Sequence, residues 1–298
     1  MPTQLTYRIV DVFTNQPFLG NPLAVVLGGI DLSTDAMQTI AREMNLSETV
    51  FVLPANDARC AVRLRIFTPN KELPFAGHPT VGATFVLVND NIVAADLFEF
   101  ALQENVGPVH IRRERGAAFM AWLTTPTIEF GAVHDRAACA AALGLSEIDL
   151  IPGVEPQIVS AGVPGVFVAL RDKIAVDRAV LDEPAMRAAL GPSDALERFV
   201  FCPTEGGAYS RMFLPALGIP EDPATGGLTG PLAAYMMRYG LAPHAAGTRL
   251  VSEQGVKMGR RSLLHVQING DFGVDGIEVG GTAAPVAQGT LIAPEHGL

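Results

Sequence analysis

The chain has 298 residues, 49% of them hydrophobic, which is ample material for about two globular domains and carries no disorder bias. Its 31 acidic against 21 basic side chains give a formal charge of −10, arguing against a nucleic-acid surface or an anionic membrane face, whereas a small anionic ligand stays compatible because helix N-termini bind anions without net positive charge. Three scattered cysteines (Cys60, Cys139, Cys202) form no C-x-x-C, no apolar run is membrane-length, and the first residues lack a signal-peptide pattern, so a cytoplasmic protein without a disulfide framework or zinc site is expected.

Taken in order, Tyr7 to Phe13 alternates as a strand, followed by a turn-rich loop to Pro22 and a short apolar strand, Leu23 to Leu27. Ser33 caps a helix running to about Met44, with Asp35 in its first turn. Asn45 to Glu48 leaves that helix, Thr49 to Leu53 is β-rich, and Cys60 to Phe67 alternates as a strand. Pro74 to Val88 opens as a turn and closes as an almost wholly apolar run, so it reads as a buried helix beginning just after His78, with Pro79 at its first position. Leu97 to Leu102, Val109 to Arg113 and Ala117 to Leu123 read as meander strands; Pro126 to Val133 reads as an extended linker and Arg136 to Leu143 as a short helix.

The pattern then restarts. Gly162-Val163-Pro164 enters a short apolar strand as Gly20-Asn21-Pro22 does, and a helix follows at Glu183 to Leu190. Phe199 to Pro203 echoes Phe51 to Pro54, and Arg211 to Pro215 echoes Arg65 to Pro69. Glu221 to Met237 echoes Pro74 to Val88, again a glycine-rich turn feeding an apolar helix. The echoes keep their order and fall roughly 140 to 150 residues apart, which points to a duplicated domain. Strands at Arg249 to Val251, Leu263 to Ile268, Gly276 to Val279 and Gly289 to Ile292 complete the second half. Two similar α+β domains are expected, over 1–125 (joined by a C-terminal strand at 286–298) and 126–285, with the two glycine-rich helix starts facing an interdomain cleft, where ligand sites commonly lie.

Gly77-His78 and Thr225-Gly226-Gly227 would then offer backbone N–H groups to a bound anion, with His78 adding a group that titrates near neutrality. Asp222 reads either as the N-cap of the second helix or as a group orienting a substrate amine or a histidine. Glu48 is either an exposed loop glutamate or, bordering an apolar strand, a general base and then acid. No nucleophile elbow, P-loop, zincin or dinucleotide fingerprint occurs. His110, His134, His244, His265 and His296 are isolated and suggest no metal site, and Arg63, Arg65, Arg112 and Arg113 read as solvated strand faces.

Gly20-Asn21-Pro22-Leu23-Ala24-Val25-Val26, Asn45 to Phe51, Phe67-Thr68-Pro69, Glu72 to Ala83 and Glu221 to Gly226 together resemble the PhzF family of phenazine-biosynthesis-like isomerases, over nearly the whole chain. The resemblance implies the diaminopimelate-epimerase-like fold, two pseudo-symmetric domains each with a sheet wrapped around a central helix, usually in a homodimer, and no cofactor. Epimerase relatives carry a cysteine on each helix-start turn. Here the turns read Ala76-Gly77-His78 and Ala224-Thr225-Gly226, which argues against a two-thiol epimerase or racemase. In the family's phenazine-pathway enzyme, which isomerises trans-2,3-dihydro-3-hydroxyanthranilate, one glutamate moves a proton between ring carbons; that position matches Glu48, and its histidine and aspartate partners match His78 and Asp222. Asn21, Ser47, Gly77, Thr80, Thr225, Gly226 and Gly227 are the implied contacts to a small anionic or zwitterionic metabolite. One departure stands out: Gly227 occupies the place of a serine in the phenazine enzyme. A catalytically silent carboxylate-binding protein is therefore the alternative.

Overall fold

The computed structural model describes residues 4–116, 118–192, 197–215, 219–270 and 276–294. The chain divides into two compact units, Met1–Leu123 with Gly280–Leu298, and Thr124–Val279.

In the first unit, β1 (Gln4–Val12) pairs antiparallel with β2 (Asn21–Leu27), and β2 runs parallel to β3 (Glu48–Leu53). The β2–β3 crossover carries α1 (Thr34–Met44), as parallel strands require. Ser33 caps α1 by accepting from the Ala36 N–H at 3.1 Å, and Asn45 ends it in the left-handed region at φ 50°. β3 pairs antiparallel with β4 (Arg63–Phe67), which pairs antiparallel with β5 (Glu72–Leu73) and parallel with β6 (Glu99–Glu104). β7 (Gly107–Arg113) and β8 (Ala121–Thr124) extend the meander. Ala117, where the sequence places the start of that last strand, lies outside the described residues. The helix α2 (Gly77–Asn89) packs on β1, β2 and β3, and its apolar run is buried nearly all round. It begins at Gly77, so His78 lies inside its first turn rather than before it. Gly82 makes the close approach possible: a Cβ there would stand 2.5 Å from Leu23 Cδ2 and 2.7 Å from Val12 Cγ2.

The second unit repeats the pairing scheme on different residues. It holds β9 (Glu129–Val133), α3 (Arg136–Ala142), β10 (Gln157–Ser160), β11 (Pro164–Ala169), α4 (Lys173–Arg178), α5 (Glu183–Leu190), β12 (Glu197–Thr204), β13 (Gly207–Leu214), β14 (Ile219–Asp222), α6 (Gly226–Arg238), β15 (Arg249–Gln254) and β16 (Ser262–Ile268). β11 runs parallel to β12, β12 antiparallel to β13, and β13 antiparallel to β14 but parallel to β15. β9 pairs with β10, so the segment expected as a linker is a strand. It is mostly exposed, which removes the inward–outward alternation that marks a strand in sequence. Aromatic rings pack on α6: Tyr235 stacks on Phe167 at 5.6 Å and meets Phe201 edge-on at 5.8 Å, centroid to centroid. Across the sheet, α3 to α5 bury Cys139, Val176 and Met186 against Val166, Val168 and Val200.

After β17 (Ile277–Gly281), β18 (Ala283–Ile292) pairs with β1 and so belongs to the first unit. Residues 295–298 of the expected C-terminal strand lie outside the described residues. No described helix is long and apolar enough to cross a membrane. The four arginines expected on solvated faces are half-exposed: Arg63 reaches Asn105 at 3.4 Å, Arg65 makes a two-pronged pair with Glu72 at 2.6 and 2.8 Å, and Arg112 and Arg113 stack over Trp122 and Phe98.

Candidate active site

In the first unit, the parallel β2–β3 pair sets Leu23 opposite Glu48, so Asn21 and Glu48 stand at the N-terminal ends of neighbouring strands, with Ser47 just before. Asn21 is buried, and Ser47 and Glu48 are half-buried. The first turn of α2 brings His78 to them: His78 Nε2 lies 3.3 Å from Glu48 Oε2, with the two side chains only 7% and 16% exposed. Burial pushes the imidazole down to about 3, so it is neutral at neutral pH. A neutral ring nitrogen donates to a carboxylate or accepts from a carboxylic acid, according to tautomer. It thus suits both states of a proton carrier. Gly77 is half-buried at the helix start, where Ala76 supplies no side-chain cap. Thr80 is turned inward, with its hydroxyl 2.7 Å from the Ala76 carbonyl oxygen and 2.6 Å from Glu104 Oε1, so it braces the turn.

In the second unit, Asp222 ends β14 and is buried. Thr225, not Asp222, is the N-cap residue of α6. The Thr225 hydroxyl donates to Asp222 Oδ2 at 2.6 Å. Fully buried Gln254 closes the turn: its Nε2 donates to the Asp222 carbonyl at 2.8 Å and to Thr225 Oγ1 at 2.9 Å, and its Oε1 accepts the Thr225 N–H at 3.3 Å. The capping alternative for Asp222 therefore gives way to a carboxylate held by the cap residue. Gly226 is half-buried and Gly227 exposed, with nothing within 4 Å of a Cβ added at Gly227. Two carboxyls escaped the sequence reading. Burial pushes Glu104 up to about 7 and, with the Asp222 charge adding to it, does the same for Glu197. The period-two pattern held a signal for both, since Glu104 shares a strand face with Leu102 and Glu197 with Phe199. Among the described residues, no group of His, Cys, Asp and Glu is arranged to hold a metal ion.

Residues 10–289 match the PhzC-PhzF family, described as phenazine biosynthesis-like protein. The chain belongs to that family. It is 40% identical to an uncharacterized isomerase of Mesorhizobium japonicum, over 96% of this chain and 98% of that one. It is 35% identical to the trans-2,3-dihydro-3-hydroxyanthranilate isomerase of Pseudomonas aeruginosa, over 95% and 98% of the respective chains. A PhzF-family phenazine biosynthesis protein of Bacillus anthracis superposes with a TM-score of 0.88, covering 97% of this chain and 99% of that one at 24% identity, a likeness of fold. The α+β architecture is thus that of the PhzF and diaminopimelate-epimerase-like proteins, and the chain is a PhzF-like isomerase.

Proposed function

We propose that the protein moves a proton on a small cyclic or amino/hydroxy carboxylate, with Glu48 as base and then acid. The observation that supports this reading is the buried 3.3 Å approach of Glu48 to a neutral His78. In the reaction, the Glu48 carboxylate takes a proton from a substrate carbon, and the C–H electrons enter the conjugated system as the double bond shifts. Glu48 then returns the proton to another carbon, so the product is an isomer and no co-reactant is consumed. His78 steadies Glu48 in both protonation states, and the low exposure of both side chains keeps the proton on its carrier. Asp222, fixed by Thr225 and Gln254, orients a polar substrate group at its own turn. The P. aeruginosa relative, named for trans-2,3-dihydro-3-hydroxyanthranilate, supports the substrate class: a ring bearing carboxylate, amino and hydroxyl groups.

The test is solvent-deuterium incorporation and product formation across a panel of such acids. Wild type incorporates deuterium, and Glu48→Gln loses at least about 10³-fold in rate, within the range general acid–base catalysis supplies. Equal rates in the two proteins would remove Glu48 from the mechanism. Gly227 motivates a second reading, a carboxylate-binding protein without turnover, since the hydroxyl expected there is absent. Tight binding without exchange across the panel would favour it.

A further inference from the structure

Thr80 lies in the first turn of α2, two residues after His78, and is fully buried. Its single hydroxyl makes two short oxygen contacts, 2.7 Å to the Ala76 carbonyl and 2.6 Å to Glu104 Oε1. Both are hydrogen-bond distances, and each hydrogen bond needs one proton. A carbonyl has no proton to give, nor has a carboxylate, and Thr80 has one. The second must come from Glu104. We infer that Glu104 is a positioning residue: as a carboxylic acid, it donates to Thr80, which donates to Ala76, and this relay locks the helix turn that presents His78 to Glu48.

A second observation agrees. Glu104 is 3% exposed, and its Oε2 is buried with no hydrogen-bond partner, an arrangement far costlier for a carboxylate than for a neutral acid. The surrounding charges leave this carboxyl to itself. Arg63, on the paired strand β4, reaches Asn105 at 3.4 Å, and Glu72 of β5 is held by Arg65 and Asn105. On β7, Arg112 and Arg113 lie over aromatic rings, His110 sits opposite Ala101, and His78 on α2 is neutral. Burial accordingly raises Glu104 to about 7, with the Thr80 hydroxyl and then an Ala76 backbone hydrogen bond opposing. Ala76, the N-cap of α2, has no side chain able to cap, and the Glu104 carboxyl of β6 takes a hydrogen bond from its backbone. Loss of the Glu104 proton leaves one hydrogen for two acceptors, and the turn carrying His78 loosens.

The role of His78 rests on the function proposed above, so the experiment requires no turnover and fails independently of it. Histidine-labelled protein is followed by NMR from pH 5 to 9, with the His78 signal identified by its absence in His78→Gln. The expected result is a His78 shift with its midpoint near pH 7 in wild type. In Glu104→Gln, whose amide N–H replaces the acid proton, that transition vanishes and the signal stays at its low-pH position. A persistent transition in Glu104→Gln, or none in wild type between pH 6 and 8, overturns the inference. Infrared difference spectra of wild type give a check without mutation: a carboxylic-acid carbonyl band present at pH 6 and lost by pH 8.5 is expected, and absence of a titrating band overturns the assignment. Between pH 5 and 8, the unfolding equilibrium of wild type should rise relative to that of Glu104→Gln by roughly a hundredfold.

Discussion

Gly82→Ala tests whether the spacing of α2 against β1 and β2 is as tight as it looks. The added methyl would stand 2.5 Å from Leu23 Cδ2, 2.7 Å from Val12 Cγ2 and 3.5 Å from Val10 Cγ2, where ordinary contact is 3.4 to 4 Å. Leu23 or the helix must therefore withdraw by about an ångström. Leu23 and Val12 are fully buried and Val10 nearly so, which leaves their side chains little free space to turn into. Overpacking of this kind costs about 1–3 kcal/mol, and close contacts on two sides put Gly82→Ala in the upper part of that range. Alanine regains about 1 kcal/mol of helix propensity, so the net expectation is a loss of about 1–2 kcal/mol. Urea unfolding followed by tryptophan fluorescence reads this directly, because the chain's single tryptophan, Trp122, is buried in the same unit. Gly227→Ala, in the second unit and therefore followed by far-ultraviolet circular dichroism, is the control: nothing lies within 4 Å of its Cβ, so its midpoint should stay put or rise slightly. A Gly82→Ala midpoint at or above wild type would refute the packing argument. The same substitution should lower activity, since Leu23 stands opposite Glu48 and shares in the displacement.

Removing the Thr225 hydroxyl with Thr225→Val deletes its hydrogen bond to Asp222 Oδ2 and the one it accepts from Gln254, at a cost of about 1–3 kcal/mol, whereas Thr225→Ser keeps both; equal urea midpoints for the two variants would contradict the network. His78, held near 3 in the fold against 6.5 when exposed, contributes stability that is complete above pH 6.5 and is lost as pH falls towards 3, because the unfolded chain then binds the extra proton. Glu104, near 7 in the fold against 4.5 when exposed, has the opposite sign: its contribution is complete below pH 4.5 and is lost as pH rises through 7. Glu197, also near 7 in the fold against 4.5, has the sign of Glu104, so between pH 4.5 and 6.5 His78 offsets only one of the two carboxyls and wild-type stability should fall by about 1.4 kcal/mol per pH unit. His78→Gln should steepen that fall to about 2.8 kcal/mol per pH unit and Glu104→Gln should nearly cancel it; parallel curves for the two variants would show that one assignment is wrong.

What the sequence carried best were features that repeat locally. The Ser33 cap and the stripe of Ala36, Met37, Ile40 and Ala41 lie within one helix, and the unbroken apolar run of α2 marks burial on every side. The parallel pairs β2–β3 and β11–β12 follow from strands separated by helical segments. What escaped was polar and non-local. Glu104 meets Thr80 across 24 positions, and Gln254 meets Asp222 across 32; neither separation leaves any periodic trace. Asp222 illustrates the point. The sequence offers it as a cap because Asp before Pro commonly starts a helix, yet with Gln254 holding the turn the chain continues to Thr225 before α6 begins. Hydropathy identifies a strand face by its apolar members and treats a polar member as noise. For Glu104 and Glu197, both pushed up to about 7, that polar member is the informative one. A charged residue in phase with a buried strand face should be read as a buried acid, to be tested by asking which hydroxyl or carbonyl needs its proton.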